Sequence, residues 1–130
     1  MSPAEIELAL KQLLAETNVE VYFGSDAVQD LKGYRKEIKL ILALIVKQAK
    51  KGPLIKPNGA GEPLSGELVG FTKIKPKALS LRVVYRPTEM ANGTIRMEII
   101  AIGPKNREEV YELAARRVIS FHDEMLRRIK

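Results

Sequence analysis

Between Lys73 and Arg86 the chain carries five cations, Lys73, Lys75, Lys77, Arg82 and Arg86, and no acidic residue. Alternate residues of a strand share a face. That rule lines up Lys73, Lys75 and Lys77 on one run, and Arg82, Val84 and Arg86 on the next. Ile74, and then Leu81, Val83 and Tyr85, fall on the opposite side. The economical arrangement buries Ile74, Val83 and Tyr85 against helices and turns the cations outward. Like charges on adjacent strands cost roughly a fraction of a kcal/mol per pair. Five cations without compensation therefore read as a surface held ready for a polyanion, since local rules are broken where function requires it.

The chemistry open to such a surface is cleavage of RNA by its own ribose 2′-hydroxyl, which needs no metal and no other cofactor. It needs a group to take the 2′ proton, a group to protonate the leaving 5′ oxygen, and cations fixed around the transition state. A lysine crowded by other cations gives up its proton more readily. Arginine stays charged and grips phosphate through two parallel hydrogen bonds. A tyrosine can stack on a base or orient a phosphate. The lone histidine, His122, falls in the last helical segment and reads as a surface or helix-packing residue. Tyr85 alternates inward and reads as core. Asp and Glu match no metal-ligand spacing, and the glycines of 52–66 lack the Lys-Ser/Thr ending of a phosphate loop.

The remaining composition frames this hairpin. The chain has 130 residues, 45% hydrophobic and 29% charged, enough for one domain with a core of its own. It has no cysteine, which removes disulfides, thiolate zinc sites and a cysteine nucleophile, and agrees with a reducing, cytoplasmic setting. The first residues do not read as a signal peptide, and no apolar run is long enough to span a bilayer, so no membrane partner is expected. Residues 1–72 carry nine Lys/Arg and nine Asp/Glu, whereas residues 73–130 carry thirteen and seven. The net charge of +6 is thus placed in the C-terminal part, as expected for a polyanionic partner.

The elements that must position the hairpin are legible from caps and periodicity. Ser2-Pro3-Ala4-Glu5 has the form of a capping box opening a helix to about Glu16. Val19–Phe23 is β-branched or aromatic, a strand. Gly24-Ser25-Asp26 then caps a long helix, or a helical hairpin bent at Gly33, running to Lys51 and stopped by Gly52-Pro53. Residues 52–66 are rich in Gly and Pro and form a loop. Glu67–Ile74, Leu81–Arg86 and Thr94–Ile102 read as strands, the last two joined through Asn92-Gly93, with Gly103 serving a turn out of the third. A final helix starts near Asn106. The order predicts one α+β domain over 1–130, a small, mainly antiparallel sheet packed by helices, with an N-terminal helical extension over 1–18.

Several separately placed segments, FTKIK at 71–75, LRVVY at 81–85 and IIAIGPKNREEVYELAARRV at 99–118, resemble the RelE family of toxins from bacterial and archaeal toxin–antitoxin modules. The resemblance covers about residues 65–118. It implies an endoribonuclease that cuts messenger RNA in the ribosomal decoding site, inhibits translation and is silenced by a cognate antitoxin protein. It implies Lys73 as general base, Lys75 and Arg82 as transition-state clamps, and Tyr111 as a stacking or orienting group. Lys105 stands where the family has an arginine cast as general acid; lysine donates a proton more readily but lacks the bidentate grip. Pro104 replaces the preceding basic position. Arg107 matches a basic position of the family segment, and Lys77 and Arg86 extend the RNA-binding surface. The alternatives are a ParE-like toxin that binds DNA gyrase without cutting RNA, and an RNA-binding domain with a decayed site.

Overall fold

The computed structural model describes residues 2–76 and 79–128. In chain order the elements are α1 (Pro3–Leu13), β1 (Val19–Phe23), α2 (Ser25–Lys32), α3 (Ile38–Lys51), β2 (Glu62–Pro63), β3 (Thr72–Ile74), β4 (Leu81–Glu89), β5 (Ile95–Pro104) and α4 (Glu109–Arg127). They form one five-stranded sheet in the order β1-β5-β4-β3-β2, with β1 parallel to β5 and every other pair antiparallel. The α+β architecture expected from the sequence is the one observed.

Each boundary has a local cause. The Ser2 hydroxyl accepts from the Glu5 amide and the Glu5 carboxylate accepts from the Ser2 amide, so the capping box forms as read. The helix ends at Leu13, one turn short of Glu16. Gly33 separates α2 from a short 3-10 turn over Arg35–Glu37 that leads into α3, so the long helical segment is a bent pair. The run 67–74 supplies a strand only over Thr72–Ile74. Gly66 and Gly70 take left-handed φ angles of 63° and 93°, and the residues between them close into a 3-10 turn. Two residues of the 52–66 loop, Glu62 and Pro63, pair with β3 as an edge strand.

The hairpin β4–β5 is longer than the periodicity indicates. Pro87 lies within β4 but beyond the segment that β3 pairs, at an edge where a missing N–H is tolerated. Gly103 and Pro104 belong to β5 instead of ending it. Gly103 sits in close packing: a Cβ there would stand 3.3 Å from Val110 at the start of α4, a tight approach. Between Val84 and Tyr85 the register shifts, with Val84 opposite Ala101 and Tyr85 opposite Ile99. The additional residue is Ile100, a β-bulge in β5 that leaves the alternation of β4 intact.

Both faces of the sheet are covered. Leu81, Val83, Tyr85, Met97, Ile99 and Ile102 pack with α1, α2 and α3, while Phe71, Val84, Ile100 and Ala101 pack with Val110, Ala114, Phe121 and Met125 of α4. Beyond Phe23, where β1 no longer pairs β5, Asp30 accepts the Ile102 amide at 2.9 Å and Arg117 donates to the Ile100 carbonyl at 3.0 Å. Arg117 and Asp30 also join each other through two hydrogen bonds of 2.7 and 3.0 Å. The open edge of β5 is thereby closed by side chains from α2 and α4, which satisfies main-chain groups the strands leave over.

Tyr85 is core, as its alternation predicts, and is fully buried. Its hydroxyl donates to the Pro53 carbonyl at 2.7 Å and accepts from Gln48 at 3.2 Å, tying the end of α3 to the sheet. Burial pushes its pKa up to about 12 from an ordinary value near 10, against the smaller opposite pull of the Gln48 hydrogen bond. A pKa raised in the folded state means stability that is complete below pH ~10 and lost as pH climbs through ~12, about 3 kcal/mol in all. Tyr85→Phe should therefore cost about 1–3 kcal/mol at neutral pH, from the unpaired Pro53 carbonyl. Paired urea titrations should show this deficit narrowing from pH 10 upward; a deficit constant to pH 12 would contradict the assignment.

Candidate functional site

The candidate site forms where β3 and β4 run beneath the start of α4. Lys73 is paired with Val84, so the two share a face, and Arg82 shares it two residues along β4. Lys73 and Arg82 are thus diagonal neighbours across two strands, about 7–8 Å apart at the backbone. The N-terminal turn of α4 comes down over them because Gly103 lets Val110 approach. Glu108 turns the chain into the helix with a left-handed φ of 58°, a conformation uncommon for a residue with a side chain. The result places the Lys73 ammonium over the ring of Tyr111, 5.5 Å from its centroid. Lys73 and Tyr111 are both half-buried, which leaves each a solvent-facing part.

Among the described residues, Lys73, Arg82 and Lys105 have no carboxylate within ion-pair distance. Arg82 donates from Nη1 to the carbonyl of Leu81 at 3.0 Å, which steadies the guanidinium and leaves its other donors available. Lys105 is exposed, and its amide donates to the Ser80 carbonyl at 3.3 Å. That contact holds it just past the Arg82–Gly103 and Leu81–Pro104 pairs, at the same end of the β4–β5 ladder as Arg82. Lys73, Arg82, Lys105 and Tyr111 are therefore brought to one end of the α4-covered face. Lys77 lies outside the described residues, as does the side chain of Arg107.

Two cations are engaged, contrary to the expectation of an uncompensated, outward surface. Arg86 is committed to Glu98 on the neighbouring strand, with Nε donating to Oε1 at 2.9 Å. Its guanidinium also lies 5.6 Å from the ring of Phe71 and 5.4 Å from that of Phe121, and Nη1 donates to His122 Nδ1 at 3.2 Å. His122 is the exposed helix residue expected, with this contact added. Lys75 is exposed and pairs with Glu62 at 3.1 Å. The Lys75 ammonium hydrogen-bonded to it holds the Glu62 carboxyl below its ordinary range. Charge counting within 73–86 missed both partners, because Glu62 comes from β2 and Glu98 from β5. The cations of β4 are also not turned to open solvent: α4 lies across them, and Val84 between them is fully buried.

The arrangement suits anion binding with proton transfer. Lys73 meets the partly exposed Tyr111 ring, Arg82 shares the strand face with donors to spare, and Lys105 stands exposed at the same end of the ladder. Such a set can grip a phosphate, stack a base and move a proton. Among the described residues no group of three His, Asp or Glu comes together to hold a metal, and no helix is long and apolar enough to cross a membrane.

The sequence reading also missed cations from α3. Counted in finer pieces, residues 1–31 carry one Lys/Arg and six acids, whereas residues 32–61 carry eight Lys/Arg and one acid, so the balance of 1–72 conceals two opposite patches. Lys47 and Lys51 line a cleft together with Lys73 and Lys75. The signal was available as the absence of any acid between Glu37 and Glu62.

No family model matches the chain, and no curated protein matches it in sequence. Two solved toxin structures are similar to it. Toxin RelE of E. coli, a mutant in the free state, aligns over 75% of this chain and 95% of its own, with 22% identity and a TM-score of 0.48. The YoeB/ParE toxin from Agrobacterium tumefaciens aligns over 65% of this chain and 96% of its own, with 22% identity and a TM-score of 0.49.

Glu98 provides a test of how the cations divide. It is buried between Arg86 and Arg96, and Thr88 donates to it at 2.6 Å. Glu98→Ala should cost about 3–5 kcal/mol by leaving buried cations without a counter-charge. Replacing all three charges with apolar side chains of similar volume should recover most of that loss in urea unfolding. A Glu98→Ala variant as stable as the parent would show that Arg86 is not held as described.

Proposed function

We propose that this chain is the toxin of a toxin–antitoxin module and acts as a metal-independent endoribonuclease on messenger RNA in the ribosomal decoding site. The observation that carries the reading is the Lys73 ammonium set over the Tyr111 ring, with Arg82 beside it and no carboxylate to occupy either cation. These are the positions to which the RelE resemblance assigns the chemistry, and they lie far apart in sequence. In the proposed step Lys73, having first released a proton to solvent, accepts the 2′ proton as a neutral amine while the 2′ oxygen bonds to phosphorus, closing a 2′,3′-cyclic phosphate. The bond to the 5′ oxygen breaks and Lys105 supplies the proton to that leaving group. Arg82 spans the equatorial oxygens, where charge accumulates. Lys75 joins it by exchanging Glu62 for phosphate, and Tyr111 stacks on a neighbouring base. Arg86 serves the scaffold beneath the site. An antitoxin with an acidic or amphipathic segment completes the module as partner.

Induced expression should arrest translation and leave cuts in ribosome-bound messages. Arg82→Ala combined with Tyr111→Ala should lower cutting at least 100-fold, since a single lost transition-state donor already costs about 10²–10³, with the circular dichroism spectrum of the folded chain retained. Full toxicity of the double variant without any cut transcript would refute the nuclease reading. Inhibited gyrase with intact messages would select a protein target instead.

A further inference from the structure

The cleft between α3 and β3 opens beside the α1–α3 core cluster, and of its lining only Lys73 and Lys75 take part in the proposed cutting step. It has a volume of 460 Å³ and is floored by Leu40, Leu44, Ile74 and Leu79. Its rim is cationic. Lys47 and Lys51 sit four residues apart on α3, which puts them on one face of the helix. Lys73 and Lys75 rise from β3 opposite, and Glu62 is the one carboxylate lining the cleft. Lys47 and Lys51 are both exposed and, among the described residues, neither has a carboxylate within ion-pair distance. Four lysines line the cleft with one carboxylate, itself engaged by Lys75, an excess of positive charge along the groove.

We infer that this cleft is a track for single-stranded RNA, in which Lys47 and Lys51 of α3 hold the backbone of the strand that passes through the Lys73–Tyr111 site. The inference rests on the nuclease reading and extends it to residues outside the cutting site. Continuity carries it: Lys73 sets its ammonium over Tyr111 on the α4 face, and the same residue lines the cleft where β3 borders α3, so cleft and site meet at the β3 end of the sheet. A strand gripped at Lys73 therefore has the cleft as its adjoining cationic path, with Lys75 as the next cation. Lysines suit this task, since they bind phosphate as point charges without demanding a geometry or a sequence. The leucines of the floor offer bases an apolar surface with no hydrogen-bond code, so binding along the track should be indifferent to sequence. An acidic peptide would meet the same rim, but it would have no reason to continue into the Lys73–Tyr111 site.

The test uses the full chain and a single-stranded RNA oligonucleotide methylated at every 2′ oxygen, which binds but cannot be cut. Lys47→Gln with Lys51→Gln should weaken binding roughly tenfold near 0.1 M salt and reduce the slope of log affinity against log salt by about 1.4, the value for two lost single-strand phosphate contacts. Lys36→Gln with Lys39→Gln removes the same charge from residues that do not line the cleft, and should change the slope by much less. Equal effects of the two pairs would overturn the track and leave only a diffuse field. Wild-type affinity in the Lys47/Lys51 variant, or loss of a copurifying protein partner in place of RNA, would also overturn it. In either case persistent cutting of ribosome-bound messages by the parent chain would leave the nuclease reading standing. Failure of the parent to cut any message would bring down that reading instead.

Discussion

A carboxylate buried in the middle of β5 sets the layout of the cationic face. Glu98 lies between Arg86 on β4 and Arg96 on its own strand, within 2.9 and 3.2 Å of their Nε atoms. Arg96 has few alternatives. It is almost fully buried, its guanidinium rests 4.0 Å from the ring centre of Tyr22, and its Nε has no directed hydrogen bond beyond the ion pair. Removing either charge from such a group leaves the others buried without compensation, whereas replacing the whole group with apolar residues is often neutral. What Glu98 fixes is therefore arrangement more than net stability. The Arg86–Glu98 and Thr88–Arg96 cross-strand pairs hold β4 in register on β5, and that register determines where Arg82 and Val84 stand beside β3.

The α4-covered face is consequently divided along its length. Under the second half of α4, the cations are consumed: Arg86 and Arg96 by Glu98, and Arg128 by Glu7. Val84, Ile100 and Ala114 pack between the two ends. Under the first turn of α4, among the described residues, Lys73 and Arg82 have no carboxylate within ion-pair distance, and Lys105 follows at the strand end. The same residue types on one strand face thus serve two purposes. Arg82 and Arg86 are only four residues apart, and what separates their roles is the partner that β5 presents to each: Gly103 opposite Arg82, Glu98 opposite Arg86.

This division explains which parts were legible in the sequence. Local signals survived well: the capping box at Ser2, the strand Val19–Phe23 in full, and the alternation that sends Tyr85 inward and Arg82 to the opposite face. The signals that failed were those settled by tertiary partners. Nothing near Arg86 in the chain announces Glu98, twelve residues on and across a hairpin. Nothing near Lys75 announces Glu62, which lies in a loop too rich in Gly and Pro to read as a strand. Gly103 reads as a turn residue from its neighbours in the chain, whereas the contact it makes is with Val110, in a helix that has not yet begun. The bulge at Ile100 has a similar cause, since Arg117 of α4 takes the Ile100 carbonyl and Asp30 of α2 the Ile102 amide, both from elsewhere in the chain.

Glu62 bears on how the free and engaged cations work together. Its pair with Lys75 is exposed on both sides, 44% and 40% by side chain, so it is worth little as a source of stability. An exposed ammonium–carboxylate pair is readily exchanged, and phosphate carries a charge-assisted acceptor of the same kind as carboxylate. Lys75 is therefore held in place at the junction of cleft and site without being locked there. Arg86, by contrast, faces a carboxylate that is 1% exposed and hydrogen-bonded by Thr88, from which no incoming anion could free it without breaking a buried ion pair. The relevant variable for each cation is thus the burial of its partner. By that measure, among the described residues, Lys73, Arg82 and Lys105 have no carboxylate partner, Lys75 has an exposed one and Arg86 a buried one, so the uncommitted cations lie at one end of the strand pair and the committed ones at the other.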